Sequence, residues 1–322
     1  MKADPTSLVE LDLAIQPKWR RTKFIGVRLV AAMVSIWGAA TIVFFLTRLT
    51  GDPVSLMSPP GADPAQLDAT AKFFGLDRPL IIQYFDYLKD LATFSFGESY
   101  YQRQPAGAVV ANAVGPTLML AGISFLVTLA VAIPAAMLAT RKAGKRTDKL
   151  LTSSASVGIS VPDFWLGPLL ILLFAGTLRW VDGTQMTGPS SFILPVITQS
   201  TTQISILFVL ARAALVKQRN ESYVYTARAK GASERRILLR HVMPNGSLEI
   251  LTVMGLILAN LIASNIVVEM VFAWPGLGQL LVTSMSNYDF PIIQLLTLIY
   301  ASAFVVILLV VDALYRLIDP RA

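Results

Sequence analysis

Long apolar stretches separated by short charged segments make up most of the 322-residue sequence. The stretches cover residues 24–49, 114–140, 151–178, 194–216, 248–272 and 292–317. An α-helix needs about 20 apolar residues to cross the hydrocarbon core of a bilayer. The pattern therefore predicts an all-α integral membrane protein with six transmembrane helices.

Several of these spans contain residues that are unfavourable in a helix or in lipid. Pro134 predicts a kink or local unwinding of the second span, and Pro162 divides the third. The first half of the fourth span is too polar to face lipid, and the fifth has polar residues four positions apart. Neighbouring helices or a water-filled path are expected to face these residues, which are predicted to line a pore: Thr198, Gln199, Thr202, Gln203, Asn260 and Ser264.

The segment between the first two spans, residues 50–111, is long enough to form a structure of its own. It combines turn signals with a helix-period apolar pattern over 73–91, which predicts a small extracytoplasmic insert with one or two helices. Its aromatic residues are expected to pack the insert or lie at the membrane interface, and a ligand-binding surface is the alternative. The transmembrane core then occupies residues 112–317, between polar tails at 1–23 and 318–322.

The basic residues predict the orientation of the chain. Of its 27 Lys and Arg residues, 21 fall on the side that holds both termini. Cytoplasmic loops are enriched in Lys and Arg, so both termini are predicted to be cytoplasmic, in a multi-pass protein of the cell inner membrane. The net charge of +7 then needs no nucleic acid partner to explain it. With no Cys and a single His, His241, no catalytic, cofactor or metal site is expected in this chain.

Residues 217–245, termed here the basic segment, contain the highest density of positive charge. Seven Lys and Arg lie between positions 217 and 240, against two Glu. Helix-forming residues precede Gly231, which suits a left-handed helix end, and Ser233 can cap a second helix that Pro244 is expected to terminate. The segment is predicted to form two short helices with a joint between them, either as a docking element or as a solvated loop.

The spacing within the basic segment resembles the Glu-Ala-Ala signature of ABC importer permeases. In that family the signature is followed by three residues, Gly, nine residues and Ile-x-Leu-Pro. Ala227, Gly231 and Pro244 match the pattern here, whereas Tyr225 stands in place of Glu. The resemblance implies an ATPase-coupling loop formed by Tyr225, Thr226, Ala227, Arg228, Ala229, Lys230, Gly231, Ala232, Ser233 and Pro244.

Further motifs extend the resemblance to the dipeptide, oligopeptide and nickel branch of these permeases, from residue 24 to the end. They are GDP at 51–53, FGLDRPLIIQY at 74–84, FGES at 96–99, SVPDFW at 160–165, FAWPGLGQLL at 272–281 and DALYRLIDPR at 312–321. The family implies a type I ABC importer fold in the lipid bilayer. It also implies three kinds of partner: a second homologous permease, two cytoplasmic ATPase subunits or domains that bind ATP and Mg²⁺, and an extracytoplasmic solute-binding protein.

The expected function is that of a permease subunit that forms half of an ATP-driven path for dipeptides and oligopeptides. The chain has no Gly-x-x-x-x-Gly-Lys-Ser/Thr sequence for ATP hydrolysis, so it is not expected to be an enzyme. The alternative cargoes are nickel chelates, opines and oligosaccharides. A different class, an ion-coupled secondary transporter, would use Asp163, Glu269 or Asp312 as coupling carboxylates.

Overall fold

The computed structural model describes residues 18–49, 54–55 and 61–318. Helices account for all its regular secondary structure in this part of the chain, apart from one isolated bridge between Glu98 and Pro105. The α-helices are α1 (Lys18–Leu49), α2 (Pro64–Phe73), α3 (Leu80–Ala92), α4 (Ala106–Arg141), α5 (Arg146–Ser160), α6 (Asp163–Leu170), α7 (Ile193–Arg219), α8 (Ser222–Ala229), α9 (Glu234–Ile237), α10 (Met243–Val271), α11 (Leu277–Ser286) and α12 (Phe290–Ile318).

Five helical stretches in the described residues are long and apolar enough to cross a membrane: Gly26–Leu49, Ala106–Arg141, Pro189–Arg219, Glu234–Ile262 and Phe290–Val311. A sixth is broken, because Arg146–Ser160 and Asp163–Thr177 meet at an angle of 97°. The break falls at Pro162, where the missing amide proton and the fixed φ prevent a continuous helix. The predicted all-α membrane fold is confirmed, and the third span is broken at Pro162 as the sequence predicts.

Helix α7 lies at the centre of the bundle, where α4, α5 and α10 all pack against it. The contact surfaces are rich in small side chains, among them Ala132, Ala136, Ala211 and Ala214, all buried. Small residues allow helix backbones to approach closely, which favours packing inside a membrane, where apolar burial gives little net gain. The outer helix α1 packs against α12 instead.

At Pro134 and Pro244 the structure departs from part of what the sequence predicts. Helix α4 stays α-helical through Pro134, so the local unwinding expected there does not occur. Pro244 does not end the second helix of the basic segment: α9 runs through a π-helical turn, Leu238–Val242, directly into α10. Pro244 is the second residue of α10 and directly follows the π-helical turn, a local change in the helical hydrogen-bond pattern at which a residue without an amide proton can be accommodated.

The insert contains two helices, within the predicted one or two, and the first of them, α2, lies almost entirely before the apolar pattern of 73–91. Gly75, with φ of +65°, follows α2, and α3 begins after Pro79. Helix α4 already begins at Ala106, inside the predicted insert range of 50–111. Asp289 fixes the insert to the bundle, because its buried carboxylate accepts hydrogen bonds from Ser99 Oγ and, at 2.9 Å, from the Tyr100 amide. The predicted tails, 1–17 and 319–322, lie outside the described residues, whereas 18–23 belong to α1.

Candidate functional site

The basic segment forms the jointed element that its sequence predicts. Helix α8 covers Ser222–Ala229 and buries Val224 and Ala227 against the bundle, whereas Tyr225 on its opposite face is 59% exposed. Gly231 has φ of +81°, and the next amide, that of Ala232, donates to the Ala227 carbonyl at 3.1 Å. Ser233 then caps α9 by accepting a hydrogen bond from the Arg236 amide. The glycine stop and the serine cap predicted for this joint are therefore confirmed.

An ion-pair cluster connects the joint to the ends of the long helices. Glu234 accepts from Arg228 Nε at 2.9 Å and from Arg219 Nη2 at 3.1 Å. Arg219, the last residue of α7, also donates to the carbonyl of Thr140 near the end of α4. Arg228, which the sequence suggests as a docking contact, thus also holds the joint internally. Movement of α9 would be transmitted through these contacts to α4 and α7.

The remaining residues of the predicted coupling loop are mostly exposed. Four residues of the loop line a cleft of about 440 Å³ together with three residues outside it: the loop residues are Thr226, Ala227, Lys230 and Ala232, and the others are Tyr223, Arg236 and His241. No carboxylate from the described residues lines this cleft, so its electrostatic character is positive or neutral. The exposed members of the loop are Tyr225, Thr226, Arg228, Ala229, Lys230, Gly231, Ser233 and Pro244, and Ala232 is half-buried.

Side-chain hydrogen bonds join three helices inside the bundle. Gln199 of α7 donates to the Leu261 carbonyl of α10 at 3.0 Å, and to Asn265. Ser124 of α4 donates to Gln199 Oε1 at 2.9 Å. These groups are all buried, so each bond satisfies polar atoms that lipid could not. The cluster fixes the positions of α4, α7 and α10 relative to one another.

This network decides where several predicted pore residues lie. Thr198, Gln199 and Gln203 are buried between helices of this chain rather than on an open face. Thr202 is half-buried and donates to Asp163 Oδ1 at 3.0 Å, and Asn260 is exposed. The side chain of Ser264 lies outside the described residues. Of the group, Thr202 and Asn260 stay open to the surface of the chain.

A buried carboxylate fixes the turn between α10 and α11. Glu269 accepts from Thr117 Oγ1 at 2.6 Å and from the amides of Gly278 and Gln279 at 2.7 and 3.2 Å. It therefore caps the first turn of α11, where amide protons lack helical partners. Space at this turn is tight, because a β-carbon on Gly278 would lie 2.4 Å from the Cα atom of Ile266.

The structural contacts of Glu269 were not evident from the sequence, where it suggested only an ion-coupling carboxylate. The partners Thr117 and Gly278 lie 152 and 9 residues away, and no local signal pairs them. The same is true of Asp148, whose carboxylate accepts two hydrogen bonds from Arg212, at 2.6 and 2.7 Å. Within the described residues, no group of three or more His, Asp or Glu side chains is arranged to hold a metal ion.

Taken together, the bundle of membrane-spanning helices and the jointed basic segment define a multi-pass transport permease. The sequence of residues 132–322 matches the family described as binding-protein-dependent transport system inner membrane component. The chain belongs to this family, as a permease of ABC importers.

Individual relatives agree with that assignment. The glutathione transport system permease protein GsiC of Escherichia coli K12 is 35% identical over 294 residues, which cover 91% of this chain and 96% of GsiC. GsiC of Shigella dysenteriae serotype 1 gives the same identity and coverage. A solved inward-facing structure of the MetNI methionine ABC transporter has a TM-score of 0.58 at 15% identity, and covers 67% of this chain and 98% of its own. The fold is accordingly that of type I ABC importer permeases.

Proposed function

We propose that this chain forms half of the translocation path of an ATP-driven importer for short peptides. The observation that carries the proposal is the joint of the basic segment, in which an exposed helix, α8, ends at a left-handed Gly231 and a capped helix follows. The joint lies on the basic side of the membrane-spanning bundle, which we assign to the cytoplasm of a cell with an inner membrane. Both termini are assigned to that side as well.

Of two ATPase subunits or domains, one would bind the exposed face of α8 and the cleft beside it, and the other would bind the second permease. This chain would then need no cofactor of its own, because ATP and Mg²⁺ would be bound by the ATPases. Since none of the described residues places a carboxylate in the cleft, an acidic or hydrogen-bond-accepting surface on the ATPase is favoured. When the ATPases close, the push on α8 and α9 would reach α4 and α7 through Glu234 and Arg219. The bundle would alternate between outward-open and inward-open states.

The second half of the path would come from a homologous permease, and an extracytoplasmic solute-binding protein would deliver the cargo. The bent pair α5–α6 has an exposed polar face, to which Ser153, Ser156 and Ser160 contribute. Polar side chains in a membrane are stable against water or another protein, so this face supports a path shared with a second subunit. Thr202 and Asp163 lie next to the bend and would contribute to the same wall.

Short peptides are the cargo that the relatives favour. The GsiC relatives are named for glutathione, which is itself a tripeptide, and their alignment covers 91% of this chain. Nickel chelates, opines and oligosaccharides are the competing cargoes. An ion-coupled secondary transporter fits less well, because Glu269 is held by Thr117 and two backbone amides and is not free to exchange ions.

Purification of the intact complex from native membranes tests the proposal. A second permease and one or two ATPases should purify with this chain, and a soluble binding protein should stimulate ATP hydrolysis. In proteoliposomes that contain the complex, ATP and binding protein should drive the uptake of glutathione or trialanine. Uptake that follows an ion gradient without ATP would instead establish the secondary-transporter class. ATP-driven uptake of a nickel chelate, an opine or an oligosaccharide, but of neither peptide, would change the cargo and leave the importer assignment intact.

A further inference from the structure

A cavity of about 620 Å³ lies between the insert and the ends of α1 and α12, away from the basic segment. Small-molecule sites in proteins typically have volumes of about 300–1,000 Å³, so the space is sufficient for a short peptide. Aromatic and charged side chains line it together, among them Arg48, Phe74, Tyr87, Asp90, Glu98 and Tyr100. The translocation steps described above do not involve this cavity.

Arg48 contributes a cation whose hydrogen-bonding capacity is only partly used. Its Nε donates to Gln83 Oε1 at 3.2 Å, and the guanidinium carbon lies 5.1 Å from the centre of the Phe44 ring. Its Nη1 atom is buried and has no hydrogen-bond partner in the described part of the chain. A buried cationic donor without an acceptor is costly, so an anionic ligand that reached it would gain a strong, charge-assisted bond.

Tyr87 supplies a second hydrogen-bond donor and, like Arg48, it packs against the ring of Phe44. Its ring is stacked on Phe44 at 5.3 Å, and its hydroxyl is buried without a hydrogen-bond partner among the described residues. Burial raises the pKa of Tyr87 to about 12, and likewise that of Tyr100. Both phenols therefore stay protonated at neutral pH and can donate. Arg48 and Tyr87 thus place two unused donors around one aromatic ring.

Negative charge and apolar surface complete the lining. Asp90 and Glu98 line the cavity, and the structure shows an ion pair for neither of them within the described residues. Phe73 and Phe74 form an edge-to-face pair in the wall. A cavity with an unpaired cation, unpaired carboxylates and aromatic walls has the chemistry to hold a zwitterion with apolar side chains.

We propose that this cavity binds short peptides through their C-terminal carboxylate, which accepts hydrogen bonds from Arg48 and Tyr87. Asp90 and Glu98 would receive the peptide ammonium group. The inference rests on the proposed peptide cargo, and it adds a peptide site on the insert, outside the membrane path. The same carboxylate chemistry could come from a free peptide or from an acidic residue of the solute-binding protein, and the test separates these two sources.

Equilibrium dialysis tests the site. It measures how tightly trialanine and its C-terminal amide bind to the purified complex in lipid nanodiscs, without ATP or binding protein. The free acid should bind about 10- to 100-fold more tightly than the amide, which is the range expected for hydrogen bonds to a charged group. Arg48→Gln should weaken the binding of the free acid by a similar factor. Arg78→Gln is the matched control, because Arg78 also lines the cavity but is already paired with Asp86 at 3.1 Å.

A second pair of variants covers the case in which Arg48→Gln fails to fold. Tyr87→Phe keeps the ring and should weaken trialanine binding by about 2- to 10-fold. Tyr84→Phe should have no effect, because the Tyr84 hydroxyl is bonded to Thr41 Oγ1 at 2.8 Å and does not line the cavity. Measurable binding that is equal for the acid and the amide, or wild-type affinity for trialanine in both Arg48→Gln and Tyr87→Phe, overturns the proposal.

Further outcomes distinguish a carboxylate of a free peptide from one of the solute-binding protein, and the failure of the cavity proposal from the failure of the importer proposal. If trialanine does not bind but Arg48→Gln weakens association of the solute-binding protein, the carboxylate belongs to that protein and the assigned chemistry stands. If neither trialanine nor the binding protein depends on Arg48 or Tyr87, the site is wrong even where ATP-driven uptake is normal. Carboxylate-dependent binding without ATP-driven uptake would remove the importer proposal and leave the cavity assignment intact.

Discussion

Replacement of Gly231 by Val tests the coupling function of the joint. Gly231 has φ of +81°, and a β-carbon there would meet no atom within 4 Å. The cost is therefore one of backbone strain alone, about 1–2 kcal/mol for an L-residue and more for a β-branched one. A change of that size shifts a local equilibrium by about 5- to 30-fold. The joint should relax toward negative φ, which would break the Ala232-to-Ala227 hydrogen bond and displace α9 from α8.

The assay compares uptake with ATP hydrolysis in proteoliposomes that contain the complete complex. Gly231→Val should lower the number of molecules imported per ATP by about 5-fold or more, since the ATPases still turn over while the push is transmitted poorly. Gly231→Asn should retain most of the coupling, because Asn tolerates the left-handed conformation. Thermal unfolding of the complex should change little in either variant.

Gly144→Val is the matched control for this experiment. Gly144 has φ of +79°, and a β-carbon at this position would likewise meet no atom within 4 Å, but the residue lies between α4 and α5, outside the joint. Gly144→Val should introduce the same backbone strain as Gly231→Val, but outside the joint, so the coupling of uptake to ATP hydrolysis should stay close to wild type. An equal loss of coupling in both valine variants, or normal coupling in Gly231→Val, would refute the function assigned to the joint.

Three further changes probe the contacts that hold the bundle. Glu269→Ala leaves buried donors without an acceptor and should lower the unfolding free energy by at least about 3 kcal/mol, seen as a lower midpoint in Trp-fluorescence melting. Gly278→Ala should lower the same midpoint strongly because of its steric clash, whereas Gly122→Ala, which meets no atom within 4 Å, should stay within about 0.5 kcal/mol of wild type. Asp148→Ala should cost about 1–3 kcal/mol through loss of its bonds to Arg212 and to the Gly144 amide, whereas Arg212→Lys, which keeps a charged donor opposite Asp148, should cost less. A wild-type midpoint in any of the destabilising variants would contradict the contact concerned.

The spans and the joint were predictable because their signals are local. A membrane span is defined by an uninterrupted apolar run, and Gly231 and Ser233 mark helix ends through their own backbone and side-chain chemistry. The path of the chain past Pro244 was not predictable in this way. The π-turn that leads into Pro244 has no residue signature, and proline is equally suited to ending one helix and to beginning another.

The buried polar contacts depend on pairings that sequence spacing does not reveal. The polar face of α7 was recognised, but whether Gln199 meets water or another helix depends on where Ser124 and Asn265 lie. The cavity beside the insert was even less predictable from sequence spacing, because its lining combines residues of α1, α3 and α12, which are far apart in the chain. The aromatic residues there could be assigned to packing or to ligand binding only once those helices were placed.

The bend between α5 and α6 makes the stability of this subunit in the membrane depend on its assembly with a partner. Helix α5 has 15 residues and is about 22 Å long, so it cannot cross a hydrocarbon layer of about 30 Å by itself. The carbonyls of its last turn point into the bend, where lipid offers no donor, and Phe164 and Trp165 beside it are exposed on this chain. A subunit without its partner would present that corner to the acyl chains. If the chain pairs with a second permease as proposed, cells that make the two subunits in unequal amounts should degrade the excess, and the scarcer subunit should set the number of transporters.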